Sequence, residues 1–190
     1  MAAYETRRFT RLEYEKLIDL GVFRPGEAIE LLGGQLLVAE PQGARHYTAI
    51  VKTARVLQAA FGAGAYVRIQ GPIGLDDESE PEPDVAVVPG TVDDYGDEHP
   101  ARAVLVVEVA ESSLAFDRDY KGSLYARAGV PDYWVLNLVD RVLEVYRQPQ
   151  AAAEAPFGWR YARQGVIDPA GSVAPLAAPA SSVIIAELLP

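Results

Sequence analysis

Cysteine is missing from the whole 190-residue chain, which excludes disulfides, thiolate-bound metals and cysteine nucleophiles. Histidine occurs only twice, too sparsely for a zinc site built on imidazole ligands. No apolar run approaches the roughly 20 residues that cross a bilayer. The stretch from Met1 to Arg8 lacks the apolar centre of a signal peptide. A cytoplasmic location with no membrane partner is the default expectation. Positive charge is short as well: 17 Lys and Arg against 27 Asp and Glu leave a net charge of −10. On average such a surface repels a polyanion, so nucleic acid could be held only at a local basic patch. Candidates are Arg7, Arg8 and Arg11, then Lys52 and Arg55, then Arg118, Lys121 and Arg127; from charge alone, solvated faces are the simpler account. The surplus of carboxylates suits a site that collects hard cations.

What is present describes one globular domain. Apolar residues make up 49% and charged residues 23%, and the length suits a single core with little left for a second. The expected core runs from about 9 to 148, followed by an Ala/Pro-rich extension over 149–190, within one domain spanning 1–190. Thr10 and Glu13 are spaced as a capping box for a helix reaching Leu20 and stopped by Gly21. Ala28–Leu32 and Gln35–Ala39 flank Gly33-Gly34 and predict a β-hairpin. Ile50, Ala54, Leu57 and Phe61 recur at helical spacing. Strands are expected at Tyr66–Gln70, in the run ending near Val88, and in the run ending near Ala110. Asp76 to Pro83 reads as an acidic loop. A helix is expected from about Asp117, acting as its cap, to Ala128, then a second hairpin of Tyr133–Asn137 and Val142–Tyr146. Trp159–Tyr161 and Ser182–Ile185 are candidate edge strands. The fold class that follows is α/β, a mixed central β-sheet with helices packed on it.

Two acids stand where acids are costly. Glu108 is the single charge in Ala103–Ala110, which otherwise reads as a buried strand, and Asp84 opens the apolar run that follows Pro83. An unpaired buried carboxylate costs several kcal/mol. If the two strands are neighbours, both acids can converge at one sheet edge, and oxygen ligands without sulfur or imidazole favour Mg²⁺ or Mn²⁺. Lys121 could then orient a water or offset charge growing on a phosphate. A structural salt bridge from Lys121 or an arginine to Glu108 accounts for the same residues, and spacing alone leaves both readings open.

The order Glu30, Pro83-Asp84, an apolar strand ending in Glu108-Val109, and Lys121 resembles the PD-(D/E)XK nuclease superfamily. Within it, the segments Asp117–Lys121 and Tyr125–Val135, the latter containing Gly129-Val130-Pro131-Asp132-Tyr133-Trp134, are similar to the restriction endonuclease family called Uma-two. Ile29–Leu36 and His46 suit that family too, so the resemblance runs from about Phe9 to Tyr146. It implies a restriction-endonuclease-like core, a central mixed sheet flanked by α-helices. It also implies Asp84 and Glu108 as metal-binding acids, Lys121 as catalytic lysine and Glu30 as an additional acid of the site. The general pattern places a lysine two positions after the second acid, where this chain has Ala110; the lysine would come from the next helix as Lys121.

The resulting expectation is a Mg²⁺- or Mn²⁺-dependent endonuclease-like phosphodiesterase acting on DNA, with a homodimer the simplest way to cut both strands of a duplex. Competing readings are a nuclease-like fold kept as a non-catalytic binding or assembly module, and a phosphodiesterase for RNA or a small nucleotide. Other residues carry simpler expectations: His46 a satisfied core or rim residue, Gln70 a strand end, Glu80 and Glu82 part of a solvated loop, Glu40 and Asp119 surface. Tyr133 and Trp134 could stack on bases, but a strand this apolar argues for the core.

Overall fold

The computed structural model describes residues 5–39 and 41–190; Glu40 and the first four residues of the N-terminal segment read above lie outside the described residues. The chain opens with helix α1 (Arg11–Asp19), started by the Thr10/Glu13 capping box in both directions. Its Tyr14 is buried and donates a 2.6 Å hydrogen bond to the carbonyl of Ile29, which ties α1 to the first hairpin. That hairpin is β1 (Ile29–Leu32) and β2 (Gln35–Val38), with Glu30 opposite Leu37. Gly33 and Gly34 turn it at φ +57° and +76°, the two positive values that a tight type I′ turn demands and that glycine adopts without strain.

Helix α2 (Ala44–Phe61) follows, burying Ile50, Ala54 and Leu57 as their spacing predicts. The central sheet has six strands in the order β3-β4-β5-β6-β7-β8: Ala65–Ile69, Val85–Pro89, Leu105–Ala110, Asp132–Asn137, Val142–Ala151 and Trp159–Ile167. Only β5 and β6 run parallel; the other neighbours are antiparallel, so the sheet is mixed as expected. The crossover between β5 and β6 carries α3 (Leu114–Phe116), a π-helical turn (Asp117–Lys121) and α4 (Gly122–Arg127), which run on without a break.

Each face of the sheet is covered. On one, Val85, Val87, Val107, Trp134 and Leu136 pack with Ile50, Ala54 and Leu57 of α2. On the other, Val106, Tyr133, Val135 and Tyr146 pack with Tyr125 and Ala126 of α4. Tyr133 and Trp134 are fully buried, so both are core and neither is open to a base. Burying side chains of this size stabilises by about 1.5–3 kcal/mol each.

Residues past Pro149 take part in the same cores. Trp159–Tyr161 lies in the edge strand β8, and Tyr161 joins the α4 side. The second candidate strand forms β10 (Val183–Ile184), paired with β9 (Ser172–Val173) in a separate two-stranded ribbon. Val183, Ile185 and Leu188 are buried against the α2 face.

Two local expectations fail for physical reasons. Asp117 does not cap its helix; the helix begins at Leu114, and Asp117 is buried inside the π turn, accepting a 2.5 Å bond from the Ser113 hydroxyl. The Asp76–Pro83 loop is not simply solvated. It lies along β1, with the Glu80 amide donating to the Leu31 carbonyl at 2.7 Å, and Glu80 is only 2% exposed.

Candidate active site

The antiparallel pairing of Val85 with Val107 sets Asp84 beside Glu108 at the end of β4. The contact is direct: the Asp84 amide donates to Glu108 Oε2 at 3.4 Å, and the Val109 amide donates to Asp84 Oδ2 at 2.8 Å. The remaining oxygen of Asp84, Oδ1, accepts from Gln42 at 3.3 Å. Because the acidic loop follows β1, Glu30 arrives at the same place, and its Oε2 accepts from the Glu82 amide at 3.1 Å. Lys121 reaches in from the π turn, its ammonium 3.2 Å from Glu30 Oε1 and 3.2 Å from Glu108 Oε1. The four side chains singled out in the sequence therefore meet, all of them buried.

Further groups complete the arrangement. Tyr125 donates its phenolic hydrogen to Glu108 Oε1 at 2.7 Å. Asp117, Lys121 and Tyr125 follow one another at four-residue spacing, which carries all three to one side of the helical run. That spacing is the signal that could have added Asp117 and Tyr125 to the site. His46 is satisfied, but by the site itself: its Nε2 lies 3.1 Å from Asp84 Oδ2. Gln70, just past β3 at φ +47°, donates its backbone N–H to the Asp84 carbonyl at 3.1 Å and lines the cavity. Asp119 is exposed, as expected.

These groups line a cavity of about 480 Å³. Six acids face it, Glu30, Glu82, Asp84, Glu108, Glu111 and Asp117, against Lys121 and His46. The imbalance governs the proton affinities. Burial, with Asp84, Asp117 and Glu30 adding repulsion, pushes the Glu108 carboxyl up to about 8 despite the neighbouring ammonium. Burial likewise raises Asp117 to about 6, held back by Lys121 and by the Ser113 hydrogen bond. Burial works against charge on Lys121, but Glu108, Glu30, Asp117 and Asp84 outweigh it and hold its pKa above the ordinary lysine range. One ammonium shared among several carboxylates stays charged, but its attraction does not offset the burial of Glu108. Burial would lower His46, yet the Asp84 carboxylate raises it.

The fit to a divalent cation follows from this chemistry. The donors are hard oxygens, and the acids outnumber the cations. Among the described residues no group of three or more Asp, Glu or His side chains is spaced to hold a metal ion. An ion here would bind the Asp84–Glu108 pair and complete its shell with water and substrate oxygen, the manner in which Mg²⁺ is commonly held.

Of the candidate basic patches, Arg118 is spent on Glu144, Arg127 on Asp76, Arg8 on Glu78, and Arg11 on Glu15 and Glu80, whereas Lys52 and Arg55 line a separate cavity with Glu187.

No curated protein matches the sequence. The fold is similar to the crystal structure of a putative nuclease belonging to DUF820 from Anabaena variabilis ATCC 29413, with a TM-score of 0.68 and 16% identity over 95% of this chain and 97% of that one. At that identity the likeness speaks for the fold alone, a restriction-endonuclease-like mixed α/β architecture. The sequence itself matches the family Uma2, described as putative restriction endonuclease, over residues 11–175. This chain belongs to the Uma2 family.

Proposed function

We propose that the protein is a Mg²⁺- or Mn²⁺-dependent phosphodiesterase that hydrolyses nucleic acid, with DNA as its expected substrate. The observation that carries this reading is the Lys121 ammonium, shared at 3.2 Å by Glu30 and Glu108 beside Asp84 in a carboxylate-rich cavity. A purely structural salt bridge needs one acid for one base. Here the acids stand in excess and remain buried, an arrangement that costs stability unless a cation or a reaction makes use of it.

In this mechanism Asp84 and Glu108 hold the ion, which when bound polarises the phosphoryl group and lowers the pKa of water. Lys121 keeps its proton, so it acts as a donor and not as a base. It orients the attacking water and offsets charge on the phosphoryl oxygens as the transition state forms. The water oxygen bonds to phosphorus as one phosphorus–oxygen ester bond breaks. The water's proton passes to a carboxylate, for which Glu30 stands beside the ammonium, and the departing ester oxygen takes a proton from solvent and leaves as an alcohol. Tyr125 fixes the Glu108 carboxylate and His46 that of Asp84. A duplex substrate would call for a homodimer, since two symmetric sites cut two strands.

Incubation of plasmid DNA and single-stranded oligonucleotides with Mg²⁺ or Mn²⁺ tests the proposal. Cleavage is expected, falling by about 10²–10³-fold in Asp84→Asn, Glu108→Gln and Lys121→Met. Cleavage that survives all three substitutions would reject this site. A wild-type protein that neither cuts nucleic acid nor binds either metal would favour the non-catalytic module.

A further inference from the structure

The same cavity is also lined by apolar side chains, Leu37 and Val38 of the first hairpin and Phe116, the residue before Asp117. Val38 is 62% exposed and Phe116 39%, although both are large and apolar. Phe116 is held in place by an aromatic ladder. Its ring stacks on Tyr120 at 4.9 Å with an interplanar angle of 18°, and Tyr120 meets Phe157 edge-on at 4.8 Å. Arg127 lies over the Phe157 ring at 4.8 Å. The ladder fixes the Phe116 ring yet leaves part of it open at the mouth of a charged cavity.

An exposed, immobilised aromatic ring beside a phosphodiester site has an evident ligand in a nucleobase, because every base presents a π-face. Strand state follows from charge and size. A duplex is gripped through many phosphates by lysine and arginine. Here Arg8, Arg45, Arg118 and Arg127 each face a carboxylate, and the net charge is −10. A cavity of about 480 Å³ holds a nucleotide unit, whereas a double helix cannot enter it. A single strand supplies unstacked bases and needs fewer phosphate contacts.

We infer that the protein takes single-stranded nucleic acid, one base of which stacks on Phe116 and sets the adjoining phosphodiester against Asp84, Glu108 and Lys121. This rests on the phosphodiesterase reading above, but the two can fail separately.

The test uses the full chain and a short oligothymidine, with oligouridine alongside to tell DNA from RNA, and the same DNA sequence as a perfect duplex. Binding is followed by anisotropy and cleavage by gel. Phe116→Ala should weaken single-strand binding about tenfold, while Phe116→Tyr stays within about twofold of wild type. Phe116→Trp should gain indole emission that the single strand quenches and the duplex does not. Its half-exposed position makes the three variants expected to unfold at the wild-type temperature. Equal binding by Phe116→Ala and wild type would overturn the inference, as would a wild type that prefers the duplex. If cleavage proceeds but ignores Phe116, the nuclease reading stands and this one falls. If single strands bind through Phe116 and no metal supports cleavage, the stacking site stands and the nuclease reading falls.

Discussion

Glu108 and Glu144 occupy the same row of the same sheet face, separated by Val135 on the strand between them. Both are buried, and one helical run covers both. Glu144 receives Arg118 through two parallel hydrogen bonds, a further bond of 2.7 Å from Tyr146 and one of 2.9 Å from Asn137. Burial alone would raise its pKa, but those bonds hold the Glu144 carboxyl below the usual range. Glu108 receives a lysine it must share with Glu30 and is driven up to about 8. One acid is therefore matched in charge and geometry, and the other is left short. The contrast separates a carboxylate that stabilises the fold from one whose stability cost suggests another use.

The comparison breaks most visibly at its two cations. Lys121→Met should abolish about 10²–10³-fold of any cleavage, because the donor is lost where charge develops. It should also leave Glu30 and Glu108 without their shared ammonium. At pH 6 Glu108 escapes by protonation, so thermal unfolding should show a smaller loss there than at pH 8. Equal losses at both pH values would mean that the ionisation of Glu108 does not depend on the lysine.

Neutralising each acid in turn should give opposite signs. Glu108 has a folded-state pKa above its ordinary 4.5, so its contribution is fully present below that value and is lost as pH rises through about 8. Glu108→Gln should therefore raise the metal-free stability at pH 8, by about 1–2 kcal/mol. Glu144 is lowered, so its contribution is present above 4.5 and is lost as pH falls through the folded value. Glu144→Gln should lower stability at pH 7 by about 2 kcal/mol, with the deficit narrowing in acid. Denaturant unfolding of both variants at pH 5 and 8 checks the crossing. Two shifts of the same sign would dissolve the distinction.

Arg118→Lys probes the geometry of the paired acid without changing its charge. A lysine cannot reproduce the two parallel bonds to Glu144, so a loss of about 1 kcal/mol is expected, with cleavage unchanged. Since Arg118 is partly exposed, the effect should shrink in high salt.

How far the sequence could be read divides along the same lines. Glu108 was legible because it is the single charge in an apolar strand, and the first hairpin because two glycines stand where both turn residues need positive φ. The capping box of Thr10 and Glu13 is local, and it formed as spaced. Asp117 was misread as a cap because an aspartate before a helix usually is one. What overrides that preference is the Ser113 hydroxyl four residues earlier and the Lys121 ammonium at the far end of a π turn with no sequence signature of its own. His46 and Tyr125 needed the register of strands and helices that lie far apart in the chain. Past Pro149 the strand at Ser182–Ile185 was legible, but the burial of Val183, Ile185 and Leu188 depends on contacts with α2 and the sheet.

Glu80 offers the smallest and most local test, since it is a third buried acid with a different kind of partner. Its nearest cation, Arg11, is 3.9 Å away and also serves Glu15, and Glu80 Oε2 is buried without a hydrogen bond. Burial, with repulsion from Glu15, raises the Glu80 carboxyl to about 7. Its contribution is thus present below pH 4.5 and lost as pH rises through about 7. Glu80→Gln replaces an acid that must ionise with an amide that need not. Its expected gain at pH 8 is a few tenths to about 1 kcal/mol, a rise of about 1–4 °C in Tm, with no difference at pH 5. Cleavage should be untouched, because Glu80 bonds β1 and not the cavity. A loss of stability at pH 8 would show that Arg11 already compensates Glu80 as fully as Arg118 compensates Glu144. Charge deficit would then be peculiar to the Asp84–Glu108 cavity.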